Sequence, residues 1–118
     1  MKGYHDYERC IQACLNCAAL CNNCASACTE EDDMRMITNC IRITMECATV
    51  CYATAQLLNM GSSSAKDICR ICAHICEACS DECSRYDTDH CQECAAACKQ
   101  CAEECRLVER PVEDSVWV

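Results

Sequence analysis

The chain is predicted to fold as an all-α, antiparallel four-helix bundle with a cysteine-lined core. Three observations predict it. Nineteen of the 118 residues are cysteine, and they fall in four blocks that repeat in steps of 3 and 4. That is the period of an a/d seam on a helix; a strand would need period 2. Two glycines and one proline leave few interruptions, and the segments between blocks are short enough to make successive helices antiparallel neighbours.

Helix one carries Cys10, Cys14, Cys17, Cys21, Cys24 and Cys28. Ile11, Ala18 and Ala25 follow seam cysteines, and Ala13, Leu20 and Ala27 precede them. These flanks widen the apolar stripe to what a bundle needs. "TEEDD" then separates helices one and two, with Asp33 as the predicted N-cap. Helix two carries Cys40, Cys47 and Cys51, with Thr44 and Thr54 on two further steps and Ile43, Val50 and Leu57 as flanks. Gly61 suits the C′ position that ends it, and Ser64 with Asp67 reads as a capping box for helix three. Helix three carries Cys69, Cys72, Cys76, Cys79 and Cys83. Helix four begins after a cap at Asp87 or Thr88 and carries Cys91, Cys94, Cys98, Cys101 and Cys105. Pro111 stops it. Glu8, Arg9, Glu103 and Glu104 are expected on the polar faces. Residues 1–109 form one domain, and 110–118 form a short tail whose Trp117 is expected to pack on the surface.

The net charge of −9 argues against a nucleic-acid partner. No apolar run approaches a membrane span, and "MKGYHDYERC" lacks the apolar stretch of a signal peptide. A cytoplasmic location is therefore expected, with thiols kept reduced. That disfavours a disulfide framework, and the odd cysteine count suits a ligand set better than closed pairs. A purely structural role does not explain the seams, because thiols bury less apolar area than leucines. The cluster run C-x₂-C-x₂-C-x₃-C-P of bacterial ferredoxins is absent. Structural zinc commonly uses paired C-x₂-C knuckles in turns, and rows of cysteines on continuous helices are a different arrangement.

Monovalent copper fits best. It is soft, selects thiolate and accepts few ligands. Seam neighbours have Cβ atoms about 5–6 Å apart, and two bonds of roughly 2.3 Å in line span about 4.6 Å. Each thiol loses a proton on binding, so one Cu⁺ per thiolate leaves the core neutral.

The four stretches "CIQACLNCAALCNNCASAC", "CIRITMECATVC", "ICRICAHICEACSDEC" and "HCQECAAACKQCAEEC" resemble the bacterial copper storage proteins. Without a signal peptide, the chain is similar to their cytosolic class. The resemblance implies reversible storage of many Cu(I) ions, no enzymatic activity, and a homotetramer. It also implies exchange with a copper-donating or copper-accepting protein or small thiol. In that family one end of the bundle admits copper through His, Met or acidic residues. Here the matching end carries Met34, Met36, Asp87, Asp89 and His90, of which His90, Met36 and Met34 are candidate ligands. The runner-up is a broader, metallothionein-like buffer that also takes zinc or cadmium. Met45 is expected to fill the core, with a thioether ligand as the alternative. His74 is expected in solvent, and His5 with Met60 at the opposite end.

Overall fold

The computed structural model describes residues 3–110. A single 3₁₀ turn, Tyr4–Asp6, leads into α1 (Glu8–Cys28); α2 (Ile41–Asn59), α3 (Ala65–Cys83) and α4 (Asp89–Glu109) follow. The helices pack in cyclic order, α1 on α2, α2 on α3, α3 on α4 and α4 back on α1, so the expected four-helix bundle forms. No helix among the described residues is long and apolar enough to cross a membrane.

The helix ends explain the short connections. Asp33 Oδ1 accepts from the backbone N–H of Arg35 at 2.9 Å and Met36 at 3.4 Å, as an N-cap does. Gly61 has φ 67°, a left-handed conformation that a Cβ disfavours. Its N–H donates to Leu58 O, and that of Ser62 donates to Leu57 O. The two bonds together make the Schellman ending of α2. Thr88, with extended backbone, accepts from Cys91 N–H at 3.3 Å and caps α4. Arg110 is extended at φ −55° and ψ 136°, as the residue before a proline must be. Pro111 itself, with Trp117 and the rest of the tail, lies outside the described residues.

Three expectations are corrected. The capping box at Ser64 and Asp67 does not form. Ser64 has φ −93° and ψ 11°, outside the extended region from which a cap side chain reaches back. The Ser62 hydroxyl accepts from Ser64 N–H instead, while Asp67 pairs with Arg70 at 3.5 Å. Glu104 is not on the polar face. It is buried between α1 and α4, where Arg9 and Gln100 donate to it. Met45 neither fills the core nor faces the thiols; it is 57% exposed.

One element has no signature in the sequence. Met36–Cys40 is a π-helical turn that runs directly into α2. Both of its end residues, Met36 and Cys40, are buried. The hydroxyls of Thr44 and Thr54 are buried too, and both are satisfied by carbonyls one turn back, Thr44 by Cys40 O at 2.7 Å and Thr54 by Val50 O at 2.7 Å.

Candidate metal centre

The core is a column of sulfur. All nineteen cysteines are free thiols, and none is more than 3% exposed. Within a helix, neighbours one turn apart come to 3.9–4.0 Å, as in Cys17–Cys21, Cys24–Cys28 and Cys72–Cys76. Contacts between helices are as short or shorter: Cys40–Cys83 is 3.5 Å, Cys10–Cys105 3.6 Å and Cys47–Cys76 3.6 Å. The antiparallel seams thus meet along the bundle axis. They form overlapping groups of four, such as Cys14, Cys72, Cys101 and Cys105, or Cys17, Cys21, Cys47 and Cys98, whose sulfurs all lie within 4.8 Å of one another.

Such spacing suits metal–sulfur bonds. Three bonds of about 2.3 Å at 120° place sulfurs about 4 Å apart. A tetrahedral ion places them only slightly closer, so distance alone does not choose the metal. Charge does. The column holds no lysine or arginine, and a divalent ion in a closed set of four thiolates leaves two net negative charges in a dry core, which is costly. Monovalent copper shared at one ion per thiolate leaves none.

Before metal binds, the thiols share protons unevenly along the column. Burial pushes the Cys28 thiol up to about 12 and raises that of Cys91. Hydrogen bonds with Cys24 and Cys83 act the other way on Cys40 and lower it. Metal binding at raised thiols such as Cys28 and Cys91 therefore displaces a proton.

One end of the column has a polar rim. There the C-termini of α1 and α3 meet the π turn and the N-terminus of α4. His90 Nδ1 lies 3.3 Å from Cys24 Sγ and 3.6 Å from Cys91 Sγ. Its Nε2 lies 3.0 Å from Glu31 Oε1. Met36 is buried at this end, whereas Met34 is 69% exposed. Asp87 and Asp89 are exposed on the same rim. Sequence reasoning did not single out Glu31; "TEEDD" offers four adjacent carboxylates and no sign of which one folds back. At the opposite end the column finishes at Cys10 and Cys105, 3.6 Å apart, with aliphatic side chains beside them. Ile11, Ala55, Leu58 and Ala65 are buried there, while His5, Met60 and, along α3, His74 are exposed.

A bundle of this kind, with a thiol at nearly every seam position, has known counterparts. Residues 4–110 match the family described as Csp, copper storage protein. The chain belongs to that family. Csp relatives of known structure share the fold along most of their length. The Cu(I)-bound copper storage protein BsCsp3 of Bacillus subtilis is 45% identical, with 87% of this chain and 97% of that one aligned at a TM-score of 0.83. A cytosolic copper storage protein from Streptomyces lividans, studied with five coppers, is 38% identical, with 90% and 93% covered at a TM-score of 0.84. A cysteine-rich protein of Bacillus subtilis, YhjQ, is 46% identical over 83 residues, 70% of this chain and 77% of its own length.

Proposed function

We propose that this Csp protein stores many Cu(I) ions reversibly in its core, each cysteine supplying a thiolate. The observation that carries the reading is the continuous column of buried thiols at 3.5–4.0 Å, a spacing that lets one sulfur bridge two ions. Copper binding in BsCsp3 and in the cytosolic Streptomyces protein supports it. The role is binding rather than catalysis. We place the protein in the cytosol as a homotetramer, receiving copper from and returning it to a small thiol or a partner protein. Competition tests the metal. Loaded anaerobically with Cu(I) in the presence of tenfold excess Zn(II), roughly as set by the thiolate preference of Cu(I), the protein should retain copper almost alone. Comparable zinc and copper contents would instead mark a general thiol buffer.

Copper enters at the His90 rim. A ligating histidine commonly donates its other ring N–H to a carboxylate, which fixes ring and tautomer. Glu31 fits that part, leaving Nδ1 to face Cys24 and Cys91. His90 and Met36 are neutral ligands that bind Cu(I) and release it to thiolate; Met34, in solvent, makes a first contact. The double change His90→Ala with Met36→Ala should slow uptake from a weak Cu(I) donor about tenfold, the lower end of effects seen at metal-site supports, and leave the final copper count near wild type. Stopped-flow absorbance of the sulfur-to-copper transition measures the rate. Unchanged kinetics would place the way in elsewhere.

A further inference from the structure

The sulfur column is not uniform along its length. Cys24, Cys28, Cys40, Cys83 and Cys91 form one group under His90, joined by contacts of Cys24 with Cys28, Cys40 and Cys91, and of Cys40 with Cys83 and Cys91. Deeper in, Cys17, Cys21, Cys47, Cys51, Cys76 and Cys98 are cross-linked through several routes, among them Cys17–Cys98, Cys21–Cys98, Cys47–Cys98 and Cys51–Cys76. Among the described residues, a single thiol–thiol hydrogen bond of 4.0 Å or less joins the two regions; at longer range Cys24 also interacts with Cys94, and Cys83 with Cys79. The Cys83 thiol donates to Cys94 at 3.8 Å. Cys94 in turn donates to Cys21 at 3.7 Å and contacts Cys98 at 4.0 Å.

The narrowing has a cause in the sequence. On α2 the seam step between Cys40 and Cys47 is Thr44. Cys40 belongs to the rim group and Cys47 to the inner one, so Thr44 occupies the level where the two regions meet. Its hydroxyl is committed to Cys40 O at 2.7 Å and Ile41 O at 3.0 Å, and a neutral hydroxyl is a poor ligand for a soft ion. A bare ion does not cross a dry core, because the cost of losing its ligands is prohibitive. Copper therefore advances only from one sulfur to the next in contact.

We propose that Cys94 is the relay thiol through which copper passes from the rim group to the inner column, and that Thr44 confines the passage to this step. The inference rests on the storage reading above. In the transfer, a copper–sulfur bond to Cys94 forms as the one to Cys83 breaks, and the Cys94 proton moves to the departing Cys83 sulfur. Charge is conserved and no electron is exchanged. With the relay in place, the rim fills first and the inner column fills through it.

Time-resolved native mass spectrometry of the full chain, mixed anaerobically with excess Cu(I) from a weak donor complex, reads this directly. Cys94→Ser should pause with about five ions, one for each rim thiol. It should then fill about tenfold more slowly than wild type, as loss of a positioned reacting group commonly does. The residual filling would run by way of Cys79, one turn from Cys83 and within 4.8 Å of Cys21 and Cys98. Cys76→Ser removes one inner thiol away from the step and should load without a pause. Thr44→Cys should speed the inner phase and add about one ion, and it decides the question if Cys94→Ser loses its helical circular dichroism. Loading of Cys94→Ser at the Cys76→Ser rate, or an inner phase unchanged by Thr44→Cys, overturns the relay. Neither result touches the storage reading, which fails instead if wild type saturates at one or two ions.

Discussion

Saturation with Cu(I) should raise the melting temperature of the apo protein by more than about 20 °C, at about 4–8 °C for each kcal/mol in a small domain. The expectation begins with what the apo core lacks. Its buried residues are mostly cysteine and alanine, and Ile11 and Leu58 are the largest fully buried side chains. Such a core removes little apolar area per residue, so the apo state sits toward the lower part of the usual range of about 5–15 kcal/mol. A ligand held only by the native state at a hundred times its dissociation constant adds about 2.7 kcal/mol, and several ions together exceed the whole apo stability. Copper also binds unfolded thiols, which trims the gain per ion. The native advantage survives because sulfurs from four helices meet around one ion only in the bundle. The apo protein should be helical already, since its caps at Asp33, Gly61 and Thr88 involve no metal. Anaerobic circular dichroism melts of apo and loaded protein test both points. A random-coil apo spectrum would mean that metal binding and folding are one event.

Truncating either aliphatic anchor should cost the apo protein about 2–5 kcal/mol. Ile11 is 1% exposed and Leu58 0%, and both lie at the end opposite His90, where the N-terminal part of α1 meets the C-terminal part of α2. The other fully buried residues at this end are cysteines and alanines, so Ile11→Ala or Leu58→Ala removes one of the few large side chains there and leaves a void. Neither residue is a ligand, so copper capacity should stay at the wild-type value. Denaturant unfolding under reducing, metal-free conditions gives the free energy. A loss below about 1 kcal/mol, the scale of an ordinary surface change, would show that this end is not the hydrophobic anchor of the bundle.

Most of the architecture was legible because one residue type marks every seam. Cysteines in steps of 3 and 4 identify the buried face of each helix directly, and all nineteen are buried together. Thr44 and Thr54 continue the same period and are buried with them. Gly61 and the cap before α4 were readable for a separate reason: a left-handed turn and an unpaired first-turn N–H each select few residue types. What escaped depends on tertiary contact or on backbone detail. Ser64 has the right chemistry for a cap, yet its backbone is not extended, and its own N–H is instead held by the Ser62 hydroxyl. Glu104 looks like a surface charge until Arg9, distant in sequence, closes over it. Met45 sits beside a seam position and points to solvent. The π turn at Met36–Cys40 has no residue signature, although it sets how Cys40 joins the rim. Glu31 is one acid in a run, and only its 3.0 Å contact with His90 distinguishes it.

The central claim is that the thiol column is a store for copper. Anaerobic titration of the reduced apo protein with Cu(I), followed by gel filtration and measurement of metal and protein in the eluted peak, tests it most directly. Nineteen thiols used two per ion without sharing would hold about nine ions, and bridging thiolates carry the limit toward about nineteen. The contacts of 3.5–4.0 Å between neighbouring sulfurs predict a value near the upper figure. Saturation at one or two ions per chain would contradict storage outright.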